Sequence, residues 1–364
     1  MREIGSEFSL ININEKEDNL VDNLNFLNYG FDRRYLFSGR TAIDFVIKDI
    51  LITRKDIELV YLPNYCCYSM IEPFLKNGLK IKFYKVEFYN QKLNVHLPYN
   101  LDNTIFLAMS YFGFDSLTMD DKISRIKKNS NAIVIEDNTH RFLSDINFSN
   151  SADYVITSLR KWFPILSGGY AVKNNSSFVY NLKLRDSNNL VNKKLQSMAL
   201  KTKYLIDKDD KIDKNYMLKS FKEANKIFAT HVEGYKLDSY SEEILKRISF
   251  NKIKKIRIEN ANILIKNIPN NILLGQLGNG TPLFVPVNIK QPEQLQIYLR
   301  QRNIYSPIHW PLPKSLNESS DNYNDIYKTE LSLICDQRYC EIDMMAITKA
   351  LNDYLLITDE GESI

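Results

Sequence analysis

Short apolar runs that end in polar residues recur along the first half of the chain. Residues 59–62 stop at Pro63; 80–86, 104–109, 132–135 and 154–156 follow, and Gly168-Gly169 open a further run to Val172. Runs of this length, rich in β-branched residues, read as buried strands. Between them lie stretches with helical spacing. Residues 42–51 place Ile43, Val46, Ile47 and Ile50 on one face, and 65–76 and 119–128 also read as helices. Strands separated by helices predict an α/β domain with a mainly parallel, doubly wound sheet.

The pattern changes after Val172. Residues 173–215 are charged and Asn-rich, without clear strands. Helices are predicted over 217–230, 292–300 and 341–356, and one long helix over 242–267. A strand pair, 272–277 and 283–287, is expected across the turn signal Gly278-Asn279-Gly280, and a short strand at 304–305. The expected organisation is an N-terminal arm (1–30), a large domain (31–239) and a smaller C-terminal α+β domain (240–364). A chain of 364 residues is long enough for this, and 44% apolar with 25% charged residues is ordinary for a soluble globular protein. The net charge of +4 is spread along the chain and argues against a nucleic-acid partner. Cys66, Cys67, Cys335 and Cys340 have neither disulfide-framework nor zinc spacing, so free thiols are expected. No apolar leader and no run of membrane-spanning length is visible, and a cytoplasmic protein without a membrane partner is expected.

Candidate chemistry gathers at the strand ends. The run 132–135 leads into Glu136 and Asp137, and 154–156 leads into Thr157 and Ser158. In open α/β sheets that edge is where ligands sit. His140 lies three residues after Asp137, and Lys161 three after Ser158. Ser38-Gly39-Arg40-Thr41 opens a helix, whose first N–H groups are free to meet an anion. Three readings stay open on the residues alone. Lys161 forms a Schiff base with pyridoxal phosphate, with Asp137 on the pyridine nitrogen, His140 on the phenolic oxygen, and residues 38–41 and Ser158 on the phosphate. Alternatively the sheet binds a nucleotide for a Rossmann-type oxidoreductase, although no GxGxxG follows the first strand. Or all these groups are structural: capped strand ends, a satisfied histidine and a surface lysine.

Five segments, in order, resemble those of the DegT/DnrJ-type pyridoxal-phosphate sugar aminotransferases, a family with the aspartate-aminotransferase fold, fold type I. LFSGRTAI is similar to the phosphate loop and helix. VYLPNYCCYSMIEPFLKNGLKIKFYKV resembles a strand–helix–strand unit, and IVIEDNTH the strand bearing the pyridine-pairing aspartate. SLRKWFPILSGGYAV carries the lysine with the same spacing to a double glycine, and NIYSPIHWPLP resembles a C-terminal substrate loop. The resemblance covers most of the chain. It implies pyridoxal 5'-phosphate as cofactor, Lys161 as the Schiff-base lysine and Asp137 as the pyridinium partner. His140 stands where the family often has glutamine near the phenolic oxygen. Gly39, Arg40 and Thr41 fall in the phosphate loop, with Ser158, or Thr157 in its place, as a further ligand. Cys67 stands where the family stacks an aromatic on the cofactor, and Tyr68 or Tyr65 is left to supply a ring face. His309 and Trp310 are implied as substrate contacts, with packing of a domain seam as the alternative. Residues 335–340 resemble the family's last loop before the closing helix and read as structural, with Arg338 as the candidate there to bind a substrate carboxylate.

The same resemblance implies a homodimer, a nucleotide-linked keto sugar as substrate and glutamate as amino donor, in two half-reactions. The chain departs from the family in having two residues fewer between Ser158 and Lys161. It also lacks a clear counterpart of the asparagine that reaches the neighbouring subunit's phosphate, Asn215 being the nearest. A lyase or sugar dehydratase is the alternative within this cofactor class. The dehydratase branch replaces the lysine by histidine, so an intact Lys161 favours transamination. A non-catalytic regulator is the alternative outside it.

Overall fold

The computed structural model describes residues 3–10, 27–144, 151–206, 213–230, 233–314, 316 and 324–361. Eight strands form one sheet. They are β2 (Asp32–Leu36), β3 (Leu59–Pro63), β4 (Lys80–Tyr89), β5 (Lys92–His96), β6 (Thr104–Met109), β7 (Ile133–Asp137), β8 (Tyr154–Ser158) and β9 (Gly169–Lys173), in the order β2-β9-β8-β7-β6-β3-β4-β5. The five strands from β8 to β4 are parallel. β9 runs antiparallel between β8 and β2, and β5 antiparallel to β4. The central parallel strands β6, β7 and β8 read as near-continuous apolar runs because both faces are covered; all six residues of β6 are buried, whereas β4, nearer the sheet edge, alternates. Helix α1 (Gly39–Thr53) packs on β8 and β9, and α2 (Tyr68–Lys76) packs on α1. Helix α3 (Asp120–Asn129) buries Ile123 and Ile126.

Several expected elements differ. β2 was not foreseen because DRRYL is polar; it forms as an edge strand through its ladder with β9. β5 was missed because the hairpin turns through Asn90 and Gln91, both with positive φ, and no glycine marks it. The helix expected over 65–76 begins only at Tyr68. Cys66 is held out of it, since its N–H donates to the Tyr327 hydroxyl and its carbonyl accepts from that same hydroxyl. A helix, α4 (Asn192–Ile206), forms where none was expected, packing with α5 (Lys214–Thr230) around Met198, Met217 and Phe221. The single long helix is two, α6 (Ser239–Arg247) and α7 (Phe250–Asn267). Ser249 starts the second by accepting the Lys252 N–H.

The expected hairpin across Gly278-Asn279-Gly280 does not form. β10 (Val285–Asn288) pairs instead with β12 (Glu330–Leu333), and only a single bridge, Leu273 to Val287, survives of the hairpin. Residues 276 and 277 give their carbonyls to the N–H groups of Ser116 and Asp115. Helix α8 (Pro292–Arg300), strand β11 (Ile304–Tyr305) and helix α9 (Glu341–Gly361) lie where the pattern put them. The N-terminal segment carries a strand, β1 (Ile4–Gly5), parallel to β11. The rest of the expected arm falls partly on residues 11–26, outside the described residues. The largest apolar cluster runs from Ile4 through the sheet to Leu333 and Leu351. Among the described residues no helix is long and apolar enough to cross a membrane, and no group of side chains is arranged to hold a metal ion.

Candidate active site

The parallel register aligns Met109, Asp137 and Ile156 at the C-terminal ends of β6, β7 and β8. All three line a cavity of about 370 Å³, together with Gly39, Ser158 and Lys161. A second cavity of about 400 Å³ lies against it; Glu7, Arg160 and Lys161 line both. Its further walls include Arg257, His309, Asp336 and Arg338.

Lys161 ends the single 3-10 turn that follows β8, Leu159–Lys161. The turn is anchored by fully buried Trp162, whose indole N–H donates to the Thr139 carbonyl at 2.7 Å. Lys161 Nζ lies 3.1 Å from His140 Nε2. The backbone N–H of Phe112 donates to His140 Nδ1 at 3.2 Å, so Nδ1 is the unprotonated nitrogen. A neutral His140 then carries its proton on Nε2 and donates it to Lys161, which accepts only as a neutral amine. The electrostatics agree. Burial lowers the Lys161 pKa, with Arg160 adding to it, against the opposing pull of Cys67 and Asp137. Burial, with Lys161 and His309 nearby, also holds His140 well below the ordinary histidine range.

Asp137 is buried at the end of β7 and accepts the Thr139 N–H at 2.9 Å. Burial pushes its carboxyl up, while Thr139 and Lys161 pull it back. Thr139 Oγ1 also accepts the Ser158 N–H at 3.0 Å, tying the ends of β7 and β8 together. Ser158 lines the first cavity. Thr157 alternates to the other face of the strand, fully buried and away from the cavity.

The start of α1 faces the same space. The Ser38 hydroxyl caps the helix by accepting the Thr41 N–H, and Thr41 Oγ1 contacts that hydroxyl at 3.0 Å. Gly39 lies against Ser158; a Cβ on it would meet Ser158 Cβ at 3.1 Å. Arg40 lines the cavity, but its guanidinium pairs with Glu72 at 3.0 Å and donates to the Phe228 carbonyl. Arg160 stacks over the Phe228 ring at 3.7 Å, and its Nε is buried without a partner among the described residues. Burial drives Arg160 down to about 10, with Arg40 adding and Glu7 opposing.

Cations outnumber anions around the second cavity. Glu7 accepts from Lys194 at 2.7 Å and from Asn225 at 3.0 Å, and against the effect of burial these partners hold its carboxyl at about 2. Asp336 is taken by Arg338, which also donates to the carbonyls of Ser6 and Glu7. Lys201, next to Arg338, falls to about 8, chiefly through burial. Arg257 is 1% exposed and lies 4.7 Å over the Trp162 ring. Its Nε donates to Gln337 and its Nη1 to the carbonyls of Pro282 and Leu283, and Nη2 has no partner among the described residues.

The residues expected from the sequence are thus distributed unevenly. Asp137, Lys161, Gly39, Arg40, Cys67 and Ser158 meet in the first cavity, and His309 and Arg338 line the second. His140 stands against Lys161, and Trp310 has its ring 5.6 Å from His140 and 5.8 Å from Lys161 Nζ. Tyr68, in the first turn of α2, is 48% exposed and does not reach either cavity. Tyr65 is fully buried with its hydroxyl on the His309 carbonyl. Asn215, at the start of α5, donates its N–H to Asp213 and lines neither cavity. Sequence reasoning missed Glu7, Thr139, Arg160 as a lining residue, Asn225 and Arg257. Only Thr139, inside the Asp137–His140 motif, had a local signal.

No protein-family model matches the chain, and no curated protein matches it by sequence. Solved structures do match in three dimensions. PseC of Helicobacter pylori, an aminotransferase involved in the biosynthesis of pseudoaminic acid, aligns over 97% of this chain and 99% of its own, with 13% identity and a TM-score of 0.65. A DegT DnrJ EryC1 StrS aminotransferase from Brucella abortus aligns over 92% and 89%, with 13% identity and a TM-score of 0.61. The GDP-4-keto-6-deoxy-D-mannose-3-dehydratase of E. coli, with bound hydrated PLP, aligns over 94% and 92%, with 13% identity and a TM-score of 0.62. Aminotransferases and a dehydratase share this architecture, so the fold alone does not choose the reaction. Over nearly its whole length the chain has the α/β fold type I architecture of the DegT/DnrJ-type sugar aminotransferases, the fold its sequence motifs implied.

Proposed function

We propose that this chain is a pyridoxal-phosphate-dependent aminotransferase that moves nitrogen from a dicarboxylic amino acid, glutamate foremost, to a keto sugar carried on a nucleotide. The observation that carries the reading is Lys161, held as a neutral amine by His140 in one cavity with the buried Asp137 carboxylate. The cavity suits the cofactor. Asp137 is buried at the strand end, oriented by the Thr139 N–H on one oxygen and facing the cavity, as a pyridinium contact needs. The open N–H groups at the start of α1, the Ser158 hydroxyl and the partnerless Arg160 Nε suit a phosphate. When bound, the cofactor would supply an aldehyde that condenses with primary amines and a protonated ring that withdraws electrons.

The chain's own groups divide the remaining work. Asp137 keeps the ring nitrogen charged by an ion pair in a site of low polarity. Lys161 Nζ removes the proton from the donor's α-carbon and returns it, which requires the unprotonated amine. His140 Nε2–H is the donor available to the phenolic oxygen once Lys161 is engaged. Arg257 Nη2 suits a carboxylate of the donor, because the cavity it lines also holds Lys161. Arg338 is already saturated by Asp336 and backbone carbonyls, so its part is to hold the N-terminal segment in place. The reading includes a homodimer and the division into an arm (1–30), a large domain (31–239) and a small domain (240–364).

The test is an absorbance spectrum of the purified protein with cofactor, followed by borohydride reduction and peptide mapping. Label on Lys161, and a spectral change on adding glutamate, are the expected results. Label on another lysine, or none on saturated protein, sinks the assignment. A panel of keto sugars and plain 2-keto acids then tests the substrate. Loss of a hydroxyl from the sugar without gain of nitrogen would show the dehydratase reaction instead.

A further inference from the structure

His309 is built into the site more firmly than a substrate contact needs. Its backbone N–H donates to Glu330 Oε2 at 2.6 Å. Glu330 is fully buried at the start of β12, and among the described residues no lysine or arginine pairs with it. A buried carboxylate without a cation is costly unless its hydrogen bonds hold it for a purpose. The Ser332 hydroxyl donates its one proton to Glu330 Oε1 at 2.5 Å. Ser332 Oγ therefore accepts from His309, whose Nδ1 lies 3.0 Å away. The proton of the neutral imidazole is on Nδ1, and the Nε2 lone pair has no partner among the described residues. Nδ1 is engaged at β12, and His309 lines the cavity that also holds Lys161. His140, whose ring centre is 6.0 Å away, is fixed in the opposite tautomer by Phe112. Rings of Phe284, Phe112 and Trp310 surround His309 and limit its rotation.

We infer that His309 is a second proton-transfer group of this site, with Glu330 and Ser332 as its positioning residues. This rests on the function proposed above. Exchanging a carbonyl oxygen for an amine nitrogen breaks the C=O bond, forms a C=N bond and releases one water. The two protons leaving nitrogen end on oxygen. Lys161 Nζ handles the proton on carbon, so transfer from nitrogen to oxygen falls to another group. His309 Nε2 takes a proton from the nitrogen and gives it to the departing oxygen, and ends in its starting state. In the reverse direction it does the same for the attacking water. The Glu330 carboxylate, acting through Ser332, stabilises the imidazolium between the two transfers.

Nitrogen-15 spectra of the imidazoles test the arrangement in the holoenzyme, and with four histidines in the chain assignment by single substitution is practical. His309 protonated on Nδ1 is expected; His309 protonated on Nε2 overturns the inference. His309→Ala should slow overall amination roughly 100-fold or more, the contribution typical of general acid–base catalysis, with partial recovery on adding imidazole. The absorbance of the cofactor on Lys161 should not change. Glu330→Gln should slow turnover with little effect on KM and change the His309 nitrogen shifts. Full turnover by His309→Ala on a normally loaded Lys161 overturns this inference alone. A wild-type protein with no cofactor on Lys161 overturns the function proposed above and this inference with it.

Discussion

The double glycine after Lys161 has a steric reason that can be measured. A Cβ on Gly169 would lie 2.0 Å from the Ser38 carbonyl oxygen and 2.4 Å from its carbon. That carbonyl is not free to yield: it accepts the Ala42 N–H at 2.9 Å, and the neighbouring Phe37 carbonyl accepts the Gly168 N–H at 2.8 Å. Restoring even the 3.0 Å that real contacts seldom go below means moving the Ser38 peptide by about 1 Å. The same peptide leads into the first N–H groups of α1, where the proposed phosphate sits. Overpacking costs ~1–3 kcal/mol where side chains can adjust; with backbone as the obstacle, Gly169→Ala should cost at least ~3 kcal/mol. Gly78 is the control, with positive φ and nothing within 4 Å of an added Cβ. Gly78→Ala should cost only the ~1–2 kcal/mol of a left-handed residue. Urea unfolding and a pyridoxal-phosphate titration of both variants decide the matter. Gly169→Ala should be the less stable and bind the cofactor at least ~10-fold more weakly, one pocket hydrogen bond to a charged group being enough for that. A Gly169→Ala protein no less stable than Gly78→Ala, with wild-type affinity, would refute the close approach as the reason for the glycine.

His140→Ala removes the acceptor of the buried Phe112 N–H and should cost ~1–3 kcal/mol. It also removes the donor that favours neutral Lys161, so cofactor condensation should move to higher pH; an unchanged pH dependence would make His140 structural. Arg257→Leu should raise the KM for glutamate roughly 10- to 100-fold with little change in kcat, as loss of a hydrogen bond to a charged group implies; equal KM values would place the donor elsewhere. Burial raises the folded-state pKa of Asp137 above its unfolded value. The folded state therefore holds more proton between those two values, and stability falls as pH rises through that window. Asp137→Asn should accordingly raise the melting temperature of the cofactor-free protein at neutral pH but not in acid, while weakening cofactor binding. A destabilised Asn variant at neutral pH would contradict this.

Much of the parallel sheet was legible because its signals are local. The apolar runs at β6, β7 and β8 are continuous, and the polar residues that end β7 and β8 sit at the edge the topology opens to ligand. Lys161 was legible for the same reason, through its distance from β8 and from Gly168. What the pattern hid depends on partners. Arg33 and Arg34 make β2 look like a loop until β9 pairs with it. Residues 283–287 and 272–277 look like a hairpin until β12, more than forty residues on, takes the pairing. The helical period runs unbroken through residues 248 and 249, where Ile248 and Ser249 take extended backbone.

The charges of the second cavity were hidden more deeply. A charged, Asn-rich stretch reads as solvated surface. Yet Lys194 and Lys201 in that stretch are 5% and 2% exposed. They are buried because the N-terminal segment crosses over them, Glu7 meeting Lys194 and the Glu7 carbonyl meeting Lys201. That segment is held by β1 pairing with β11, three hundred positions away, and by Arg338 on its carbonyls. No local spacing encodes such a contact. A guanidinium or ammonium is solvated or poised for an anion according to what covers it, and the cover here comes from a distant part of the chain. Lys161 can therefore be read from its distance to a strand end, while Arg160 and Arg257, the buried cations that line the second cavity with it, can be read only once the chain has closed over them.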